Sequence, residues 1–214
     1  MTHKELEDQL LDLEQQYASL KNSLEANVTD WRWSRRQYYS AEPFFNEKQN
    51  KKVPKLLKST PTNPAGMVMC GFDVNQRVIV EKEIQSHELH GWDRFYIYDE
   101  GLCIWELAFS KEGKMQYGRR YFWEHQLLQY YQHKHLFGDV RFFREEYFYE
   151  EGKIRTSILD VDFVGRGDHS RYIYTYIYTA DQQLLRITAN IEHSYSKGYN
   201  DLVIYKNKVV ETSA

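Results

Sequence analysis

Cysteine is nearly absent from this chain: its 214 residues hold only Cys70 and Cys103. Neither belongs to the close spacing of a small disulfide-stapled domain, so reduced, buried thiols in a cytoplasmic protein are expected rather than a bridge. Proline is also scarce, with four residues. Three of them, Pro54, Pro61 and Pro64, fall in one stretch, where they exclude a regular helix or a central strand. No apolar run is long enough to span a bilayer as a helix, and the opening Met1-Thr2-His3-Lys4-Glu5 lacks the apolar region of a signal peptide. A membrane is therefore not an expected partner, and the cytoplasm is the expected compartment. Nor does charge of one sign prevail. A formal net charge of -3 with 28% charged residues gives no global attraction to nucleic acid or anionic lipid.

Catalytic signatures are missing too. No serine sits in a nucleophile elbow, no glycine-rich loop opens a helix, and neither cysteine has neighbours that would lower its pKa. His87-Glu88-Leu89-His90 spaces its histidines three apart, whereas a metalloprotease helix needs four to aim both at one metal. His133-Lys134-His135 puts two imidazoles on one strand face with Asp139 following, yet no second ligand motif accompanies it. Asp160 and Asp162 share a strand face without a partner acid at a fixed offset, and Arg166-Gly167-Asp168 reads as a turn. No catalytic residue, metal or cofactor is expected, and enzymatic activity has no motif to support it.

Aromatic residues are abundant. Tyrosine alone numbers 18, and with 11 Phe and 5 Trp the aromatic fraction is 16%. Six times between Phe72 and Val209 an aromatic residue leads into a few polar or turn-forming residues and then back into apolar ones. Examples are Tyr98-Asp99-Glu100-Gly101-Leu102 and Tyr149-Glu150-Glu151-Gly152-Lys153-Ile154; the last is Tyr205-Lys206-Asn207-Lys208-Val209. Each reads as a hairpin, with Gly or Asn supplying positive φ.

Upstream, Leu6, Leu10, Leu13, Tyr17, Leu20 and Leu24 alternate at four and three, the stripe of an amphipathic helix from about His3 to Ala26. Such a stripe suits either a helix laid on its own sheet, which is favoured, or a weak two-chain coiled coil. The chain accordingly divides into an N-terminal helix (1–30), a first strand and Lys/Pro-rich loop (31–66), and an antiparallel β domain (67–214), all within one domain. The first strand is expected over Trp31 to Tyr39, ten or more strands follow, and Glu124 to His135 is ambiguous between strand and short helix. The expected fold is mainly β: an antiparallel meander closed into a barrel or strongly curved, with one helix on it.

Two stretches point to binding. Tyr172, Tyr174, Tyr176 and Tyr178 alternate with Ile173, Thr175 and Ile177, so this strand has two apolar faces and the tyrosine face needs a cover: the helix, a ligand or a partner protein. Trp31, Trp33 and Arg35 begin an aromatic and basic segment that continues into Lys48 to Lys58. Rings there could stack on bases, but the acidic balance elsewhere disfavours nucleic acid.

The aromatic, acidic, glycine, aliphatic turns at Tyr98 to Leu102 and Tyr149 to Ile154 resemble those of small bacterial β-hairpin proteins, including immunity proteins of polymorphic toxins. The resemblance covers Phe72 to Asn207. It implies a cytoplasmic, non-catalytic protein that binds and blocks a partner, and it assigns no residue. Two functions are therefore expected: a binding protein using the tyrosine-rich face, or a β-barrel holding a small hydrophobic or aromatic ligand with the tyrosine ladder as its lining.

Overall fold

A computed structural model describes residues 1–84, 90–136, 141–163, 167–194 and 198–207. Two helices, α1 (His3–Gln15) and α2 (Tyr17–Ala26), precede β1 (Asp30–Ser34), and a single-turn helix α3 (Phe45–Lys48) follows it. The remaining strands are β2 (Met67–Phe72), β3 (Val78–Ile84), β4 (His90–Asp99), β5 (Leu102–Ser110), β6 (Met115–Glu124) and β7 (Leu127–His135). They continue with β8 (Arg141–Glu150), β9 (Lys153–Phe163), β10 (Asp168–Tyr178), β11 (Leu184–His193) and β12 (Tyr199–Lys206).

The twelve strands form one antiparallel sheet in chain order, with β1 and β12 at its two ends. This corrects the closed barrel or strongly curved sheet expected above. Closure requires the end strands to exchange hydrogen bonds, and the order is linear. The apolar faces find local covers instead, so no barrel interior is needed to bury them.

Among the described residues, two kinds of hairpin turn recur along the meander. Glu100-Gly101, His125-Gln126 and Glu151-Gly152 each place two successive residues at positive φ, the signature of the two-residue type I′ turn that matches strand twist. In the longer turns one left-handed residue closes the loop: Gln76, Gly113 and Gln182 donate their N–H groups to Asp73, Ser110 and Thr179. The ambiguous segment Glu124 to His135 thus runs from the end of β6 into strand β7 (Leu127–His135) through a turn without glycine. The expected first strand is shorter than Trp31 to Tyr39 and ends at Ser34. Val209, and with it the sixth hairpin, lies outside the described residues.

By contacts the chain separates into two compact units, one of residues 1–41, 53–121 and 133–138, the other of 42–52, 122–132 and 139–214. In the first, α1 and α2 lie on their own sheet. Leu6 and Leu10 are fully buried, and Gly118 makes this possible, since a β-carbon there would overlap the Leu10 methyl groups. The Tyr17 ring packs 4.9 Å from Phe109, and its hydroxyl and Lys21 Nζ both reach Asp93 Oδ2, at 3.0 and 2.8 Å. The expected single helix breaks at Gln16, whose ψ of 5° is not helical. A capping box of Thr2 and Glu5 starts it. No described helix is long and apolar enough to cross a membrane.

In the second unit, residues 42–52 form a strap over one face of β8 to β11. They belong to the long connection between β1 and β2, where Pro54, Pro61 and Pro64 exclude regular structure. Local backbone bonds close the strap's turn: Lys48 N–H to Phe44, Gln49 to Asn46, Asn50 to Glu47 and Lys51 to Asn46.

Candidate functional site

Strand β10 runs between β9 and β11 with Tyr174 opposite Ser157 and Ala189, Tyr172 opposite Leu159 and Ile191, and Tyr176 opposite Ile187. Period-two alternation puts all of these on one face, as the sequence implies. The cover is the strap. Phe44 packs 5.2 Å from Tyr176 and 6.5 Å from Tyr178, leaving Tyr174 9% and Tyr176 2% exposed. The middle of the ladder is therefore core of the second unit, and only its ends are half-buried. Tyr172 stacks on Tyr174 at 6.2 Å, and the Tyr178 hydroxyl donates to the Ile154 carbonyl.

Beneath the strap lies a charged centre that the sequence does not announce. The Lys48 ammonium is 2.7 Å from both carboxylate oxygens of Glu145 and 2.6 Å from Glu42. Two aromatic faces complete the enclosure, with the Tyr147 and Tyr174 ring centres 5.6 and 5.4 Å from the nitrogen. Ser157 Oγ donates to Glu145 at 2.6 Å and lies 2.9 Å from the Tyr176 hydroxyl. Burial pulls the Lys48 pKa down, but Glu145 and Glu42 outweigh it and hold it well above the usual lysine value. Lys48 thus stays charged throughout the physiological range, and its contribution to stability is lost only as pH rises through that elevated value.

The other residues expected to bind belong to the first unit. Trp31 is 37% exposed and lies flat over Gly71, where any side chain would strike its ring, with the Lys82 ammonium 5.3 Å from the ring centre. Trp33 is half-buried, its carbonyl accepting from Leu57 N–H at 2.7 Å. Arg35 is exposed and borders a shallow depression with Arg36, Pro54 and Lys55. Of these, Trp31 packs on the sheet beneath the Lys82 cation.

A second polar network, equally unforeseen, occupies the first unit's sheet face opposite its helices. Glu81 and Glu106 are fully buried in β3 and β5. Glu106 accepts from the hydroxyls of Tyr117 and Tyr121 at 2.9 and 2.8 Å, with Arg119 Nη1 at 3.5 Å. Glu81 accepts the N–H groups of Tyr38 and Tyr39 at 2.8 and 3.0 Å and the Tyr96 hydroxyl at 3.0 Å. Arg119 Nε donates to His133 Nδ1, and burial together with Arg119 keeps His133 neutral, its pKa well below the usual value. A charged residue inside an apolar run such as Leu102 to Phe109 was the available signal, because a core-facing carboxylate must find partners.

Burial raises the Glu81 pKa, opposed by Arg94 and the donors Tyr39, Tyr38 and Tyr96. A raised carboxyl pKa favours the native state below the unfolded value, 4.5, and that advantage is lost as pH rises toward the folded value. In Glu81→Gln this portion of the pH dependence is expected to vanish, with the stability of the variant falling less than that of the wild type between pH 4.5 and neutrality. Urea unfolding of both proteins across that range measures it; parallel curves would refute it.

Opposite the strap, the other face of β8 to β12 is uncovered from the row of Phe148 to the row of Arg144, and closes beyond it at Phe142, which is buried. Register places side chains there in rows across the strands: Phe148, Thr156, Thr175, Thr188 and Val203; Glu146, Ile158, Ile173 and Asn190; Arg144, Asp160, Arg171 and Glu192. None of these residues is buried, and Phe148 is 46% exposed. The last row alternates positive and negative, with Arg171 Nε 2.7 Å from Asp160. At its head the Arg144 guanidinium lies 4.5 Å over Tyr130, itself stacked on Phe122 at 4.3 Å. Asp162 Oδ1 lies 2.8 Å from His169 Nδ1.

Elsewhere, a groove of about 440 Å3 beside the Asp73 to Arg77 turn has its main polar group already occupied. Asp73 accepts from the N–H groups of Asn75 and Arg77 and from the Arg77 guanidinium. Both thiols are buried and outside any disulfide, and burial pushes their pKa values up, away from nucleophile chemistry. Among the described residues no three His, Cys, Asp or Glu side chains converge as a metal site; His87, Glu88, Asp139 and Arg166 lie outside them. No protein-family model matches the chain, and none of the curated proteins matches it in sequence.

Proposed function

We propose that this chain is a binding protein without chemistry of its own, acting on a partner protein as an immunity-type inhibitor would, and that its recognition surface is the uncovered face of the second unit. One observation carries the reading. The tyrosine face is roofed by the strap, while the opposite face presents rows of threonine, isoleucine and paired charges, none of them buried. Strand side chains of this kind are held rigid by their neighbours and lose little entropy on binding. The alternating Arg144, Asp160, Arg171, Glu192 row asks for a partner with the reverse alternation, and such complementarity sets register and excludes wrong partners. Two buried thiols that form no disulfide favour a reducing compartment. An open strand order removes the barrel interior that a small-ligand reading requires.

The test begins with protein purified from its source, where native mass spectrometry identifies a co-purifying protein. Thr175→Arg, at an exposed position in the centre of the face, is then expected to weaken that complex about 100-fold, the size of a hot-spot loss. Val74→Arg, exposed in a turn of the first unit, serves as the control and is expected to leave affinity unchanged. Unaltered affinity in Thr175→Arg would place the interface elsewhere.

A further inference from the structure

The enclosure around the Lys48 ammonium has the composition of a ligand site. We propose that Glu42, Glu145, Tyr147 and Tyr174 form a recognition cage for primary alkylammonium groups, which the chain's own Lys48 occupies as a built-in pseudo-ligand and which an external amine of lysine type can enter in its place.

Three features carry this. The nitrogen meets hydrogen-bond acceptors on two carboxylates, at 2.6 and 2.7 Å, and two aromatic faces within the roughly 6 Å over which a ring attracts a cation. That arrangement selects: a primary ammonium has N–H groups to give to Glu42 and Glu145, whereas a quaternary one has none and exceeds the space between them. Three of the four walls are fixed independently of Lys48, since Ser157 Oγ donates to Glu145 and Tyr147 and Tyr174 both oppose Ser157 on neighbouring strands, while Glu42 belongs to the strap and moves with it. The occupant, in contrast, arrives on a strap whose turn is closed by its own backbone bonds, Lys48 N–H to Phe44, Gln49 to Asn46 and Asn50 to Glu47, and Lys48 is bracketed by two non-glycine residues in the left-handed region, Phe44 at φ 55° and Asn50 at φ 52°. Backbone held in that region is strained, which lowers the cost of lifting the strap.

Ligands of this class are free linear amines and lysine side chains of a partner. An amine that enters must displace Lys48, so binding and strap opening are one event, and its affinity is reduced by whatever the closed state is worth. The proposal is independent of the uncovered face described above.

Hydrogen exchange of residues 42–52 in the wild-type protein decides the matter. Titration with n-butylammonium at constant ionic strength is expected to accelerate exchange there saturably, while tetramethylammonium at the same concentrations leaves it unchanged. No acceleration, or an equal response to both salts, overturns the proposal and leaves Lys48 as a structural pin. A second measurement uses Lys48→Ala, in which n-propylammonium replaces the deleted atoms. Its midpoint of thermal unfolding is expected to rise saturably with n-propylammonium and not with propanol or tetramethylammonium. Equal effects of the three would again overturn the cage; if the variant does not fold, the wild-type measurement alone is decisive.

Discussion

Replacing Tyr174 and Tyr176 together by serine is expected to unfold the protein or bring it to the edge of unfolding. Both rings are buried, at 9% and 2% exposure, beneath Phe44 and Lys48 of the strap. Removing one large aromatic side chain from a core costs about 3–5 kcal/mol. Two neighbouring losses are not strictly additive, but together they rival the roughly 5–15 kcal/mol that hold a typical domain. Urea denaturation followed by tyrosine and tryptophan fluorescence checks this. From the alternation alone, a ladder lining a binding surface would give up its middle rings at little cost to stability, so a variant that unfolds at nearly wild-type urea concentration would restore that view and refute the packed arrangement.

Glu106→Ala is expected to be the most damaging single change in the first unit, at about 3–5 kcal/mol and a fall in Tm of roughly 6–20 °C. The cost does not come from the side chain's bulk. Its two oxygens hold the Tyr117 and Tyr121 hydroxyls and lie beside Arg119, all behind a fully buried strand position. Truncation leaves two hydroxyls and a guanidinium without their acceptor in a place water does not reach. Glu106→Gln keeps one acceptor oxygen and the volume, and is expected to fall between wild type and Glu106→Ala in calorimetry. Equal midpoints for Glu106→Ala and wild type would show that water or relaxation compensates the network.

Both expectations concern residues whose surroundings come from distant parts of the chain, and this separates what was legible in the sequence from what was not. The glycine turns and the leucine stripe were legible locally, while the helix break at Gln16 and the early end of β1 at Ser34 were not. Positive φ at Gly101, Gly113 and Gly152 marks hairpins because only a residue without a β-carbon takes that conformation freely. The leucine stripe of α1 identifies its buried face, and Leu6 and Leu10 meet the sheet as the spacing demands. The β6–β7 hairpin escaped notice because His125 and Gln126 adopt positive φ without glycine, held there by pairing of the flanking strands and not by any preference of their own.

For the candidate site the division is sharper. That Tyr172, Tyr174, Tyr176 and Tyr178 share one face, and that this face needs a cover, follows from the two-residue period of a strand and was determined by the sequence alone. Which of the three candidate covers is used could not be. The strap comes from more than a hundred residues upstream, out of a lysine-rich stretch that reads as solvated loop, and its Lys48 is charged and buried only because Glu145 waits in β8. A charge inside a protein is tolerable where a partner is already in place, and placing that partner is a property of the assembled sheet. Glu81 and Glu106 are alike in this: their types are visible in the chain, but the hydroxyls, N–H groups and guanidinium groups that permit their burial are gathered by tertiary structure. The open strand order was decided at the same level, since helices and strap cover faces that a barrel would otherwise have had to enclose.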